Sequence, residues 1–268
     1  MPKTHQMVAG LLQSLNIAAC ALLLARAANA QEHPALPGGS GCTAADFQGT
    51  YGYSGSGTIV EGPNAGPVAF VGQLTADGRG AFVGKDTVSI NGRIVRRTYT
   101  AVYVVDADCR GSYEAETSLG QVHADFVVVA GGEELRNIRT DAGQVLTFNL
   151  KKLHLESCSN SDFVGSFGYS GEGKLIQDPV LPIAFVGRLT ADGSGSFFGG
   201  DTISRNGEIL HRTYTAMYTV NPDCTGSYEA DTTLGVVHAD FVIVGNGDEL
   251  RNIRTDEGQV LTFQLKKQ

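Results

Sequence analysis

Apolar and polar positions alternate along almost the whole chain after residue 40. Residues 98–105 (TYTAVYVV) and 122–129 (VHADFVVV) are rich in β-branched and aromatic residues, and no window shows a convincing helical period. Pairs such as Asp77-Gly78 and Asn91-Gly92 separate these runs as hairpin turns do, because Gly and Asn tolerate positive φ. The pattern predicts strands near 47–59, 67–76, 80–90, 93–105, 111–118, 121–130, 134–140 and 144–151.

This pattern occurs twice in the chain. Residues 134–141 (ELRNIRTD) recur unchanged as residues 249–256, and residues 143–148 (GQVLTF) recur as 258–263. Because all connections are short, each copy is predicted to be an antiparallel meander, and eight strands is the number at which such a sheet closes into a small barrel. The predicted fold is therefore all-β, with two tandem up-and-down β-barrels of about eight strands each after a signal peptide.

The first thirty residues have the features of a targeting segment. Lys3 precedes a largely apolar stretch, and Ala28-Asn29-Ala30 matches the small-x-small pattern that signal peptidase cleaves. Lipoprotein processing at Cys20 is the weaker alternative, because the apolar stretch continues beyond that cysteine. The predicted organisation is a signal peptide at 1–30, a flexible segment at 31–41, a first barrel at 42–152, a linker at 153–157 and a second barrel at 158–268. We expect a secreted or periplasmic protein.

The cysteines of the exported chain agree with this compartment. Cys42, Cys109, Cys158 and Cys224 are an even number in an oxidising environment, and each copy has two at matching places. Pairing Cys42 with Cys109 and Cys158 with Cys224 lets each copy close independently. Metal binding is the weaker interpretation, because no close C-x-x-C pair is present and no histidine lies at ligand spacing. No metal and no cofactor are predicted.

Several motifs common to both copies resemble a known domain. The chain contains F-x-G-x-[YF]-G-Y-S-G, then D-T-[VI]-S-x-N-G, then R-T-Y-T-A-x-Y-x-V-x-x-D-C-x-G-S-Y. These motifs resemble a repeated domain of secreted bacterial proteins of unassigned function. The architecture is similar to calycin-type barrels, namely lipocalins and avidins, and to allene oxide cyclase-like barrels. The chain has no tryptophan, so the lipocalin G-x-W signature is missing and no functional residue is carried over from these families.

Charge and hydropathy narrow the choice of partners. Lysine and arginine number 20 against 28 acidic residues, a formal net charge of −8 without any basic run, which makes nucleic acid an unlikely partner. No stretch after the leader reaches the eighteen or so apolar residues that a membrane helix needs. The short linker predicts that the two barrels touch, with the apolar faces around Phe126 and Phe241 as the contact, and a homo-oligomer is compatible with the sequence.

Candidate chemistry follows from the predicted hairpin register. A two-residue loop at Leu119-Gly120 would place Glu116 opposite His123 and Glu114 opposite Asp125, and a loop at Gly131-Gly132 would place Arg136 opposite Val127. Arg136 would then lie diagonal to Asp125 and pair with it. A three-residue turn at 141–143 would place Arg136 on the same face as Leu146 and Phe148, which predicts that Arg136 and its counterpart Arg251 face inward. The same construction in the second copy gives the candidate set Glu229, Asp231, His238, Asp240 and Arg251.

Two interpretations of this charged face stay open: a solvated outer surface, or a polar site in the barrel lumen. Arg97 with Tyr99, repeated as Arg212 with Tyr214, is a further candidate for pocket lining. The leading function is binding of a small hydrophobic or amphipathic ligand in the lumen, with Asp125, Arg136, Asp240 and Arg251 as the ligand-binding candidates. One alternative is a cofactor-free isomerase or cyclase, with Glu114, His123 and Arg136 and their counterparts Glu229, His238 and Arg251 as catalytic candidates. Another is a structural or adhesive surface protein with solid barrels.

Overall fold

The structure is a computed structural model that describes residues 41–268, so the predicted signal peptide and Cys20 lie outside the described residues. The first copy has eight strands: β1 Gln48–Ile59, β2 Gly66–Asp77, β3 Ala81–Ile90, β4 Arg93–Val105, β5 Arg110–Thr117, β6 Gly120–Val129, β7 Glu134–Arg139 and β8 Gln144–Lys152. The second copy has eight more: β9 Val164–Leu175, β10 Leu181–Asp192, β11 Ser196–Arg205, β12 Glu208–Val220, β13 Thr225–Thr232, β14 Gly235–Val244, β15 Glu249–Arg254 and β16 Gln259–Lys267. Three short 3₁₀ helices accompany them, at Ala44–Asp46, Ala130–Gly132 and Asn160–Asp162.

Each set of eight strands forms a closed antiparallel barrel in which sequential neighbours pair. In barrel 1 the last strand, β8, pairs with β1, and in barrel 2 β16 pairs with β9. The predicted fold class is confirmed, and the observed strands of the first copy begin and end within one residue of the predicted ones. The alternation found in the sequence thus separates an inner face from an outer face on every strand. Among the described residues, no helix is long and apolar enough to cross a membrane.

Aromatic side chains fill one end of each barrel. In barrel 1 the ring of Phe47 contacts Tyr51, Tyr103 and Phe126, with ring centroids 4.8 to 5.5 Å apart. The Tyr51 hydroxyl donates to the Gly132 carbonyl at 2.7 Å, and the Tyr103 hydroxyl donates to the Phe47 carbonyl at 2.7 Å. These bonds satisfy the phenol groups that burial of the rings would otherwise leave without partners. The segment before β1 therefore closes this end of barrel 1.

Two disulfides hold these closing segments in place. Cys42 is bonded to Cys109 and Cys158 to Cys224, which confirms the predicted pairing within each copy. Each bond links the residues just before a short 3₁₀ helix to the turn between the fourth and fifth strands of its barrel. Closing loops of 67 and 66 residues is expected to stabilise each barrel by about 2–4 kcal/mol, chiefly by restricting the unfolded chain.

The two barrels are in contact, as predicted, but through other residues. Outward-facing Ala69 and Val71 of barrel 1 pack in the same cluster as Val242 and Val244 of barrel 2. Polar groups also cross the contact: Lys151 Nζ lies 2.8 Å from Glu249 Oε2. The predicted contact through Phe126 and Phe241 is wrong, because both rings point inward and pack on the aromatic side chains of their own barrels.

Candidate functional site

The charged residues of β5 and β6 lie on the outer face of barrel 1. Glu114 stands directly opposite His123, whereas Glu116 had been expected there. The turn consists of Ser118-Leu119 instead of Leu119-Gly120, because Thr117 donates to the Gly120 carbonyl and accepts from the Leu119 N–H. This change moves each partner by two positions and so leaves the faces unchanged.

The inner face of the same strands is apolar, with Ala115, Ala124 and Phe126 all buried. Glu114, His123 and Asp125 therefore belong to the solvated exterior. In barrel 2, Glu229 and His238 occupy the equivalent exposed positions, with 3.2 Å between Glu229 Oε2 and His238 Nε2. The expectation of a lumenal acid–base site is corrected for these residues.

Arg136 lies opposite Val127 as predicted, but it does not enter the lumen or pair with Asp125. Its Nη2 lies 2.7 Å from Glu134 Oε2, and its side chain is more than half exposed. The prediction of an inward Arg136 came from a register one residue out between β7 and β8: Ile138 pairs with Thr147, so it lies on the outer face. A slip of one residue inverts both faces of a strand, which explains the error.

Arg251 and Asp240 of barrel 2 are likewise not paired with each other. The buried Arg251 lies against Glu249, with Nε 2.6 Å from Oε1, and burial lowers the pKa of this guanidinium while the nearby Glu249 opposes that shift. Asp240 instead faces barrel 1, where it accepts hydrogen bonds from Arg96 Nε at 3.1 Å and Thr87 Oγ1 at 2.8 Å. The predicted Arg251–Asp240 pair is therefore corrected, and whether either residue binds a ligand stays a prediction.

The polar group inside barrel 1 includes Arg97 and Tyr99, the pair that the sequence offered as pocket lining, together with residues that it did not single out. Asp86 on β3 and Arg97 on β4 are directly opposite each other on the inner face. Arg97 donates from Nε to Asp86 Oδ1 at 2.9 Å and from Nη2 to Oδ2 at 2.5 Å, a bidentate and almost fully buried pair. The Tyr53 hydroxyl donates to Asp86 Oδ2 at 3.3 Å and lies 2.6 Å from the Tyr99 hydroxyl.

Burial determines the protonation states of this cluster. Desolvation raises the pKa of Tyr53 and Tyr99 well above the ordinary value, and it raises that of the neighbouring Tyr113 to about 12. Burial opposes the charge of Arg97, but the hydrogen bonds and the negative charge of Asp86 outweigh it and raise the pKa of this guanidinium. The tyrosines are therefore neutral near pH 7, while Arg97 is positively charged.

Two glycines on the inner face make room for this cluster. A Cβ at Gly72 would collide with the Tyr53 ring and with Asp86, and a Cβ at Gly84 would collide with the Tyr99 ring. Each tyrosine ring thus occupies the space that a side chain on the opposite glycine would fill. The glycines allow both hydroxyls to approach the Asp86–Arg97 pair.

Barrel 2 repeats the arrangement. Arg212 donates to Asp201 from Nε at 3.0 Å and from Nη2 at 2.5 Å. The Tyr169 hydroxyl donates to Asp201 Oδ2 at 3.0 Å and lies 2.6 Å from the Tyr214 hydroxyl. The sequence contained a signal for this site: Asn91-Gly92 is a two-residue turn, and counting back from it places Asp86 opposite Arg97.

A small cavity lies beside each cluster, between polar groups and an apolar wall. Each has a volume of about 30 Å³, which is room for roughly two water molecules. In barrel 1 the lining includes Asp86, Arg97, Arg139, Tyr99, Tyr113, Phe70, Leu74 and Phe148. Tyr99 and Tyr113 are only partly buried, so solvent reaches this part of the interior.

A larger cleft of about 570 Å³ lies between the barrels. Its charged groups pair across the contact: Lys85 binds Asp223, and Arg96 Nη2 lies 2.9 Å from Asp240 Oδ2. Since Asp86 and Arg97 also pair with each other, each charged side chain that lines this cleft has a partner of opposite charge, and the barrel interiors are the stronger candidate site. Within residues 41–268, no cluster of three or more His, Cys, Asp or Glu side chains could hold a metal ion.

Comparison with known proteins adds little. No protein family model matches the chain, and no curated protein matches it. Among solved structures, a candidate AttH from Nitrosomonas europaea is 10% identical with a TM-score of 0.25, over 87% of this chain and 98% of the other. A protein of unknown function from the DUF3598 family, from Nostoc punctiforme, is 10% identical with a TM-score of 0.23, over 85% and 99%. Similarity at this level assigns neither a family nor a function to the chain.

Proposed function

We propose that this protein is an exported binding protein whose barrels each hold a small hydrophobic or amphipathic molecule, in a calycin-type architecture. The observation that carries the proposal is the cavity beside each buried Arg–Asp–Tyr cluster. Small-molecule sites commonly combine an apolar wall with a few polar groups that fix orientation. In barrel 1 the wall is formed by Phe70, Leu74 and Phe148, and the polar groups are those around Asp86 and Arg97.

The size of the cavity limits how such a ligand is accommodated. With room for roughly two water molecules, each interior takes a small head group without rearrangement. A longer apolar tail requires neighbouring aromatic side chains to shift. Tyr99 and Tyr113 are the natural candidates in barrel 1 because they are only partly buried.

Export and the domain boundaries belong to the same proposal. The two disulfides suggest an oxidising, extracellular environment. Together with the leader pattern at 1–30, they support cleavage after Ala30, followed by barrels at 42–152 and 158–268. Amino-terminal sequencing of the protein isolated from its host should give Gln31 as the first residue. Retention of Met1 would contradict export by this leader.

The second candidate function is a structural or adhesive surface protein. The specific observation in its favour is that side chains almost fill both interiors, leaving about 30 Å³ in each. The isomerase alternative relied on Glu114, His123 and Arg136, which lie on the outer face of barrel 1, so we do not propose it.

Native mass spectrometry of protein purified from its own host separates the two functions. For a binding protein we expect a mass excess equal to one or two copies of a small molecule, which disappears under denaturing conditions. Protein expressed in an unrelated host is the matched control, since it should lack that ligand or carry a different one. The apo mass alone from the native host would favour the structural function. The same spectra report whether the chain forms an oligomer.

A further inference from the structure

One arginine in each barrel interior is held without a hydrogen-bond partner. Arg139 of β7 and Arg254 of β15 line the two cavities, and their side chains are only 9% and 6% exposed. Among the described residues, neither Nε nor Nη1 of either guanidinium makes a hydrogen bond. Leaving such buried donors unsatisfied is unfavourable, and more so when the group is charged.

The nearest carboxylates do not satisfy these nitrogens. Asp141 Oδ2 lies 3.6 Å from Arg139 Nη1, and Asp256 Oδ2 lies 4.0 Å from Arg254 Nε. Asp141 and Asp256 accept hydrogen bonds from His123 and His238 instead. The Arg254 guanidinium also lies 5.7 Å from the centre of the Phe263 ring. This cation–π contact gives its N–H groups no oxygen acceptor.

The other arginine of each interior is fully paired. Arg97 makes a bidentate bond to Asp86, whereas Arg139 has only Asp141 nearby, at 3.6 Å and shared with His123. In barrel 2, Asp201 holds Arg212 in the same way, whereas Arg254 has only Asp256, at 4.0 Å and shared with His238. The tyrosines around the cavities stay neutral because burial raises their pKa.

We infer that the ligand of each barrel carries a carboxylate, which binds to Arg139 in barrel 1 and to Arg254 in barrel 2. A planar guanidinium matches a carboxylate with two parallel N–H···O bonds, one from Nη2 and the other from either Nε or Nη1. A carboxylate group also matches the size of a cavity with room for about two water molecules. The inference rests on the proposed binding function and adds the chemical class of the head group. A free short carboxylate and the head group of a longer amphiphile share this chemistry.

The test is isothermal titration calorimetry of the full exported chain with four probes at neutral pH: hexanoate, laurate, 1-hexanol and 1-dodecanol. We expect a carboxylate to bind at two sites per chain and at least tenfold more tightly than the alcohol of equal length. A preference for laurate over hexanoate identifies the head group of an amphiphile, and equal affinities identify a short carboxylate.

Substitution at the two arginines makes the test specific. Arg139→Gln combined with Arg254→Gln should weaken carboxylate binding at least tenfold and leave alcohol binding unchanged. Arg136→Gln is the matched control, because this arginine lies in the same hexapeptide on the outer face and should not alter binding of either class. Circular dichroism checks the fold, and if the double variant does not fold, the comparison of laurate with 1-dodecanol on the unaltered chain still decides.

Two results overturn the inference. If alcohols bind the unaltered chain as tightly as carboxylates do, the site binds apolar molecules without selecting a negatively charged head group. Carboxylate affinity that survives in the folded double variant shows that the anion binds elsewhere. Failure of all four probes to bind would count against the proposed binding function itself, and the inference would fall with it.

Discussion

The same six residues, ELRNIR, form β7 in barrel 1 and β15 in barrel 2, and the two strands differ on only one face. The inward Leu135 and Leu250 are both fully buried, each in the core of its own barrel. On the outer face Ile138 is 51% exposed, whereas Ile253 is fully buried because β15 lies at the contact with barrel 1. The barrel thus determines the environment of the inner face, and the neighbouring barrel determines that of the outer face.

Replacing the first residue of each hexapeptide, a glutamate, by glutamine should give the largest difference in lost stability between the two strands. Glu249 is buried between Lys151 and Arg251, so Glu249→Gln leaves a buried guanidinium without its carboxylate and should cost about 3–5 kcal/mol. Glu134 pairs with the exposed Arg136, so Glu134→Gln should cost under about 1 kcal/mol. Urea unfolding monitored by circular dichroism measures both. Equal losses would mean that β15 is solvated and that the barrels do not pack through it.

Truncating a side chain on the inner face should cost the same stability in the two copies. Leu135→Ala and Leu250→Ala each remove a fully buried side chain and should each lower the free energy of unfolding by about 2–5 kcal/mol. Because both leucines occupy the same place in their barrels, the two losses should agree closely. A loss at Leu250 that is several-fold greater would show that the inner face also depends on the barrel contact.

Removing one methyl group on the outer face should give a smaller difference in stability cost between the two strands. Ile253→Val should cost about 0.5–1.5 kcal/mol, because the removed methyl group packs at the barrel contact. Ile138→Val removes a methyl group that is half exposed and should change stability by less than about 0.5 kcal/mol. The same urea titrations compare them, and a cost at Ile138 equal to that at Ile253 would contradict the exposed placement of β7.

Much of the fold was predictable because its determinants are local. Alternation and the Asn-Gly and Asp-Gly turns predicted every strand of the first copy, and the repeat predicted both disulfides. The register across the turn between β7 and β8 was not predictable from that turn. A one-residue difference there places Phe148 opposite Asn137, so the inward arginine of the hexapeptide is Arg139 and not Arg136.

The barrel contact was predictable only in outline. Exposed and covered outer faces have the same hexapeptide sequence, so no local pattern distinguishes Arg136 from Arg251. The interior cluster, in contrast, depends on a two-residue turn and on inner-face glycines such as Gly72, both of which are visible in the sequence. Following that turn through to the register would have identified Asp86 and Arg97 as lumenal partners.

The smallest expected difference concerns the pKa values of His123 and His238, which lie on the strands just before the two hexapeptides. His123 Nδ1 lies 2.7 Å from Asp141 and His238 Nδ1 lies 2.8 Å from Asp256, and these hydrogen bonds raise both imidazole pKa values above about 6.5. Each therefore contributes stability that is fully present below about pH 6.5 and is lost as pH rises through the raised pKa. Glu229 lies closer to His238 than Glu114 does to His123, 3.2 against 3.7 Å, so His238 should titrate at the higher pH.

NMR titration of the ring protons measures both pKa values. Asp141→Asn should lower only that of His123, and two values at the ordinary pKa would show that neither carboxylate binds its imidazole in solution.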